Sequence, residues 1–523
     1  EIGVRLVGSE MCIRDSYMSD NKRIAKNTIY LYFRMILMML VSLYTLRVIL
    51  EQLGTDDFGI YNAVGGIVVF LSFLNSALAT GSSRFLTFEL GIGDRNKLKR
   101  TFSSLLTAHI GLALIIVFLA ETIGLWFLYN KMIIPQDRFD AAIFVFHISV
   151  VTSVLTITQV PYNASIISHE RMEVYAYTSI FEVVAKLGIC YFLNVGDFDK
   201  LKLYAILMFF VQAGLILFNR YYCTRHFSET KYQFLCDKTV LKPILYFSGW
   251  NLFADGTTAL SKQGILILLN MFFLPSVVSA RAISLQVNSA VCQLVNNFRT
   301  AVNPQIVKLY AVKDYEGSKK LLLLSTKVSY YLMLLISIPL LMMTESLLGL
   351  WLGDNVPKYS AIFLQLAIVQ SLFQVFDRSF YIPLYAKGQL KENTILTLLF
   401  DFLPFPIIYL LFKNGFSPVA LSWSYLISYA IIGLVIKPYL LVKIVGYKWW
   451  EIIRTLIPCF SVTMVSVLLS YIVSILIKGN SASAYFLKIS MMILMTLWVL
   501  YLMGLDKPLR NQIRLFLFSK IRK

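Results

Sequence analysis

The sequence predicts an all-α polytopic membrane protein of about fourteen transmembrane helices: two parallel six-helix repeats and two further C-terminal helices. Three observations predict it. First, 58% of the 523 residues are hydrophobic and only 15% are charged, whereas a soluble chain is roughly 45–50% apolar and 25% charged. Second, apolar runs of about 20 residues recur, each long enough to cross a bilayer. The alternation over roughly 10 residues that marks a membrane barrel is absent. Third, short segments of the first half return about 220 positions later, in the same order.

The elements follow in order. Residues 1–17, "EIGVRLVGSEMCIRDSY", lack the apolar core of a signal peptide or a span. They read as translated adapter or assembly sequence joined ahead of a start at Met18, and they stand outside the fold. Spans are expected at 28–50, 58–80, 102–128, 139–160, 174–194 and 201–222, making a first lobe over 18–222. The longest connection, 223–243, is basic and is expected to be a cytoplasmic linker. A second lobe over 244–440 holds spans at 244–271, 277–302, 322–349, 360–384, 394–412 and 419–440. Residues 441–523 supply spans at 454–477 and 484–504 and a basic tail.

The net charge of +19 is a matter of topology. With the N-terminus inside, about thirty Lys and Arg fall on the cytoplasmic side and about seven on the other. Both termini are therefore expected in the cytoplasm. "YKWWEIIR" at 447–454 and "IRLFLFSKIRK" at 513–523 mix aromatics with basic residues, as interfacial helices do. No basic soluble domain exists to carry nucleic acid. The six cysteines form no C-x-x-C pair, so neither a disulfide framework nor a zinc site is expected. The histidines are dispersed, and "SHERM" at 168–172 lacks the second histidine of H-E-x-x-H. No G-x-x-x-x-G-K-[ST] occurs, and no other cofactor is expected.

The repeat rests on several matches. "TGSSRFLTFELGIGDRNKLKR" (80–100) and "AVNPQIVKLYAVKDYEGSKKL" (301–321) each place an aspartate and then basic residues between two apolar runs. "ETIGLWFLYNKMIIP" at Glu121 resembles "ESLLGLWLGDNVP" at Glu345. "AIFVF" at Ala142 answers "AIFLQ" at Ala361, "VPYNA" at Val160 answers "IPLYA" at Ile382, and "IFEVV" at Ile180 answers "LFDFL" at Leu399. An even number of spans per copy inserts both copies the same way up.

"NPQIVKLYAVKD", "PYNASIISHERM" and "YAYTSIFEVVAKLGICYFL" resemble the lipopolysaccharide flippases of Bacteroides-type bacteria. These belong to the MATE-like multidrug/oligosaccharidyl-lipid/polysaccharide exporter superfamily. The resemblance covers about residue 20 to 440. It implies two six-helix lobes around a central cavity that opens alternately to either side. It also implies a substrate, an undecaprenyl-pyrophosphate-linked oligosaccharide moved outward for O-antigen or capsule synthesis, and polysaccharide-assembly proteins as partners. The two extra C-terminal spans resemble the lipid II flippase branch, where such helices accommodate a lipid tail.

Charges inside a membrane cost roughly 2.5–3.5 kcal/mol each on insertion scales, so their presence needs a reason. Arg34, Arg47, Lys262, Arg281 and Arg299 are the expected diphosphate ligands, because arginine holds phosphate through two parallel bonds and stays charged when desolvated. The family implies such cavity cations by type, not by position. Snorkelling to a headgroup is the plain alternative, and Arg47 also has Glu51 at i+4. Glu182, Asp255 and Asp401 are the expected acids for coupling to H+ or Na+. Glu182 has Lys186 one turn on and reads equally as a self-neutralised pair. Asp401 lacks such a lysine and sits beside Pro404 and Pro406.

Two rivals remain. A drug/cation antiporter of the same fold would want an acidic, aromatic cavity. A membrane-embedded glycan polymerase or acyltransferase would want a large outer loop; every outer loop here is short, so a non-enzyme is expected.

Overall fold

The computed structural model describes residues 39–169, 171–193, 198–235, 237–242, 263–353, 355–389, 391–477, 479, 481–505 and 510. Helices α1 (39–71), α2 (Phe73–Ile92), α3 (Arg95–Leu119), α4 (Leu125–Lys131), α5 (Phe139–Ser168), α6 (Met172–Phe192) and α7 (Lys200–His226) belong to the first half. The second half holds α8 (Ile265–Phe272), α9 (Pro275–Ala311), α10 (Tyr315–Met342), α11 (Thr344–Leu352), α12 (Ser360–Lys387), α13 (Lys391–Phe402), α14 (Pro404–Lys413), α15 (Ala420–Ile431) and α16 (Lys437–Leu440). Helices α17 (Trp449–Leu476) and α18 (Ala482–Val499) follow. No strand occurs among the described residues, and nine helical segments there are long and apolar enough to cross a membrane.

Helices are the only open structure that satisfies its own backbone in lipid. The polar residues inside them are satisfied the same way: Ser82 Oγ donates to Leu78 O (2.8 Å), Ser337 Oγ to Met333 O (2.8 Å) and Thr496 Oγ1 to Met492 O (2.7 Å). Aspartates start several helices by accepting from free first-turn amides. Asp94 caps α3 through Asn96 and Lys97 N–H, Asp199 caps α7 through Leu201 and Lys202 N–H, and Asp314 caps α10 through Gly317 N–H.

The two basic loops are one loop built twice. Gly93 (φ 85°) and Lys313 (φ 65°) both turn left-handed, and each is followed by its capping aspartate. Pro161 inside α5 and Pro383 inside α12 repeat as well.

Several boundaries differ from expectation. The span expected at 58–80 runs on helically to Ile92 with one interruption at Ser72, whose hydroxyl donates to Val68 O (3.0 Å). Gly54 (φ 78°) turns left-handed within α1, in the gap expected between the spans at 28–50 and 58–80. The span expected at 322–349 ends at Met342 and the short α11 follows; the span at 394–412 breaks ahead of Pro404, whose missing N–H suits a first turn.

Chain direction alternates so that loops near 93, 170, 313, 389 and 447 share one face with the 227–242 linker, while 54, 132–138, 273 and 414–419 lie on the other. These are called the basic and the far face. The hydrophobic cores divide along the same axis. At the far end one core unites both halves: Leu50, Ile60, Val145 and Phe146 pack with Ile283, Leu348, Leu352 and Leu364. At the basic end the cores are separate. Phe102, Leu105, Tyr162 and Phe227 belong to the first half, and Tyr330, Phe376, Phe380 and Leu440 to the second. Helices α17 and α18 join that second core through Val462 and Val499, with Tyr330 OH bonded to Thr463 Oγ1 (2.9 Å) and Tyr331 OH donating to Gly504 O (3.1 Å).

Candidate functional site

The far-end junction is polar as well as apolar. Trp351 Nε1 donates to Leu43 O (3.2 Å), Ser279 Oγ donates to Thr55 O, and Asn270 Nδ2 donates to Ile133 O (3.2 Å) while Ile133 N–H donates to Asn270 O (3.1 Å). Gly59 lies so close to the start of α9 that an added Cβ would stand 2.0 Å from Pro275 O. Arg138 braces the first half's far end by bonding Asp57 (Nε to Oδ1, 2.8 Å) and Asp199 (Nη1 to Oδ2, 3.0 Å). Burial pushes the Asp199 carboxyl up, but the Arg138 guanidinium and the α7 amides outweigh it and hold the group below the usual aspartate value.

Below this junction a cleft of about 320 Å³ separates the halves, lined by Ser42, Leu43 and Val183 on one side and Gln286, Ser289 and Gln293 on the other. Gln286 Nε2 donates to Ser42 Oγ (2.9 Å) at its edge. The α9 residues recur at helical spacing, so one face of that helix lines the cleft. The same helix continues toward the basic face with Asn296, Arg299 and Asn303, which line a second cavity of about 460 Å³ inside the second half.

That second cavity is built by α9, α12, α13 and α16. Lys437, only 2% exposed, bonds Asp377 Oδ1 (3.1 Å) and Asn393 Oδ1 (2.5 Å) and lies over the Tyr381 ring. Arg378 is exposed and donates to Asn296 Oδ1 (3.3 Å). Arg299 is 8% exposed and has no hydrogen-bond or ion-pair partner among the described residues; its Nε is buried and unsatisfied. One turn beyond Thr397 on α13, Asp401 accepts from Tyr429 while its Oδ1 stays unpaired.

Of the expected site residues, Arg34, Asp255 and Lys262 lie outside the described residues. The structure brings Arg299 and Asp401 to one region. Arg281 is elsewhere, 3% exposed toward the far end, with Nη1 3.4 Å from Ser422 Oγ and its guanidinium 5.8 Å from the Phe363 ring centre; it lines neither cavity. Arg47 pairs with Glu51 at 2.9 Å, and Glu182 pairs with Lys186 at 2.6 Å. The histidines make separate local contacts: His109 with Leu105 O (2.8 Å), His147 with Glu121 (3.4 Å) and His169 with Glu229 (2.5 Å). No group among the described residues is suited to hold a metal.

Sequence reasoning misses Lys437, Asn393 and the amides of α9. Lys437 falls near a span end, where a lysine reads as a loop charge. The signal for α9 is present, since Gln286, Gln293, Asn296 and Asn303 recur at intervals of seven, three and seven.

Neither a protein-family model nor a curated protein matches the chain by sequence. Solved structures do match by shape. A multidrug resistance MATE family transporter of the MOP superfamily, in an inward-facing conformation, aligns with a TM-score of 0.62 at 13% identity, over 80% of this chain and 94% of its own. The lipid II flippase MurJ, in an inward closed conformation, aligns with a TM-score of 0.64 at 12% identity, over 89% of this chain and 98% of its own. The MATE multidrug transporter DinF-BH aligns with a TM-score of 0.51 at 14% identity, over 79% of this chain and 96% of its own. The chain thus has the fold of the MATE-like transporters of the MOP superfamily.

Proposed function

We propose that the protein flips an undecaprenyl-diphosphate-linked oligosaccharide across a bacterial inner membrane by alternating access, feeding surface polysaccharide synthesis. The observation that carries the reading is the cleft between two halves that are joined at the far end and have separate cores at the basic end. A headgroup enters from the basic face, taken as cytoplasmic; the halves, 18–222 and 244–440 about the 223–243 linker, rock; and the far end opens. The lipid tail stays in the bilayer. Amides and hydroxyls lining the cleft suit sugar hydroxyls.

Asp401 is the best placed of the expected acids for H+ or Na+ coupling, because Glu182 is already satisfied by Lys186. Flipping that ignores both gradients in sealed vesicles removes that role. The whole reading is tested by expressing the protein in a mutant that accumulates lipid-linked glycan. Restored surface polysaccharide and a loss of the accumulated lipid are expected. No restoration, together with export of a cationic dye, would instead favour the antiporter.

A further inference from the structure

We propose that the 227–242 linker, laid along the first half at the basic face, is a binding site for anionic phospholipid headgroups. Lys231, Lys238, Lys242 and the first turns of α3 supply its cations, and Phe234 is its apolar anchor. The site lies outside the spans and involves neither the cleft nor a transported substrate, so it stands apart from the flippase reading.

The linker is built into the first half. Phe227 is buried and stacks on the His169 ring, with centroids 4.0 Å apart. Glu229 is buried with Oε1 2.5 Å from His169 Nε2, and Thr230 Oγ1 donates to Phe227 O (2.9 Å). Further on, Gln233 N–H donates to Ser103 Oγ (3.3 Å) and Asp237 N–H to Ser104 Oγ (3.2 Å), while Tyr232 OH is bonded to Thr107 Oγ1 (3.1 Å). Leu241 is buried and Val240 packs on the first half's basic-end core. The α3 residues that hold the linker follow directly on Arg95, Lys97, Lys99 and Arg100, where the apolar run of that helix begins. That is the level at which headgroups meet hydrocarbon.

The pinned segment presents basic and aromatic side chains outward. Lys231, Lys238 and Lys242 are exposed, as are Arg95, Lys97 and Arg100. Phe234 is 83% exposed, and Tyr232 and Leu235 are 37% exposed. Rings at the hydrocarbon edge with lysines among phosphates are the pattern of an interfacial anchor. Charge complementarity selects the lipid. Residues 94–100 and 231–242 hold seven Lys and Arg against two Asp, a net +5. Asp94 already caps α3 and Asp237 already accepts from Thr239. Lys97 pairs with Glu89 (2.9 Å); the other six cations form no salt bridge among the described residues.

The repeat separates this charge from plain topology. The second copy of the loop, 314–320, sets Lys319 and Lys320 against Asp314 and Glu316, a net charge of zero. The first copy, 94–100, sets four cations against Asp94, a net +3. Lys319 is moreover paired with Glu316 (2.7 Å) and Glu451 (2.8 Å). Both loops lie on one face, so the sorting of charge across the membrane acts on them alike and does not account for the first half's excess.

The test uses the full chain without its native cysteines, one copy per nanodisc, with Phe234→Cys carrying a small fluorophore. The probes are phosphatidylglycerol and phosphatidylcholine, each with a nitroxide high on one acyl chain, at equal fractions in phosphatidylcholine discs. Quenching by phosphatidylglycerol should exceed quenching by phosphatidylcholine about fivefold, the effect of roughly one interfacial lysine. The excess should vanish with Lys231→Gln, Lys238→Gln and Lys242→Gln combined, and in high salt. Lys443→Gln, at a lysine already paired with Glu392, should keep it. A label at Val312→Cys, on the second half's loop, should show no preference. Equal quenching by the two lipids at position 234 overturns the anionic site, and so does a preference that survives loss of the three lysines or recurs at position 312. No quenching by either lipid overturns lipid as the occupant and leaves the surface to an acidic soluble protein or a second copy of the chain.

Discussion

At the scale of single residues, charge is used in two different ways. On the far face, Arg138 holds Asp57 and Asp199 as a closed triad that braces helix ends. In the second half's cavity, Lys437 is paired, whereas Arg299 has no hydrogen bond or ion pair among the described residues. The first arrangement is structural and has a pH signature. Asp199 titrates below its ordinary 3.8 in the fold, so the unfolded chain takes up its proton first as pH falls. Its contribution is whole above the ordinary value and is lost as pH drops through the depressed one. The melting temperature in detergent should therefore be higher for wild type than for Asp199→Asn at about pH 6, and the gap should narrow below about pH 4. A gap that is constant across that range would mean that Arg138 does not favour the carboxylate.

Helices meet one another through a few positions where size decides the contact. Gly59 is the sharpest case, because Pro275 O occupies the space of its missing side chain. Gly59→Ala should penalise the far-end-closed arrangement by about 1–3 kcal/mol, the usual cost of overpacking. A state open at the far end does not carry that penalty. A membrane-impermeant thiol reagent added from the far side should then label a cysteine placed at Ser289 faster than in the Gly59 protein. Unchanged labelling would show that α1 and α9 adjust locally. At this same scale α17 and α18 dock on α10 through Thr463 and Gly504, so they belong to the second half rather than forming a third unit.

For the whole molecule, the closed far end and the separate basic-end cores are, in the proposed function, one stage of an alternating cycle. Leu43 and Trp351 face each other across the closed junction. Cysteines placed there and joined by a short bifunctional thiol reagent, in a background without the native cysteines, should abolish flipping. Continued flipping after cross-linking would mean that this junction never opens.

The sequence by itself determined that the chain is a helical membrane protein, built twice, with its charges sorted to one face. Those properties follow from hydropathy and from local periodicity, and capping aspartates such as Asp94 and Asp314 announce themselves within four residues. Tertiary structure alone decided which intramembrane charges share a space. Arg281 and Arg299 lie eighteen positions apart on one helix, and both are expected cavity cations in the sequence. One packs against Ser422 and Phe363 and the other enters a cavity, because burial depends on what neighbouring helices place opposite each turn. Lys437 and Asp377 are sixty positions apart and become partners only when α12 and α16 pack together. Helix geometry is local, but a polar cavity in lipid is a property of several helices at once.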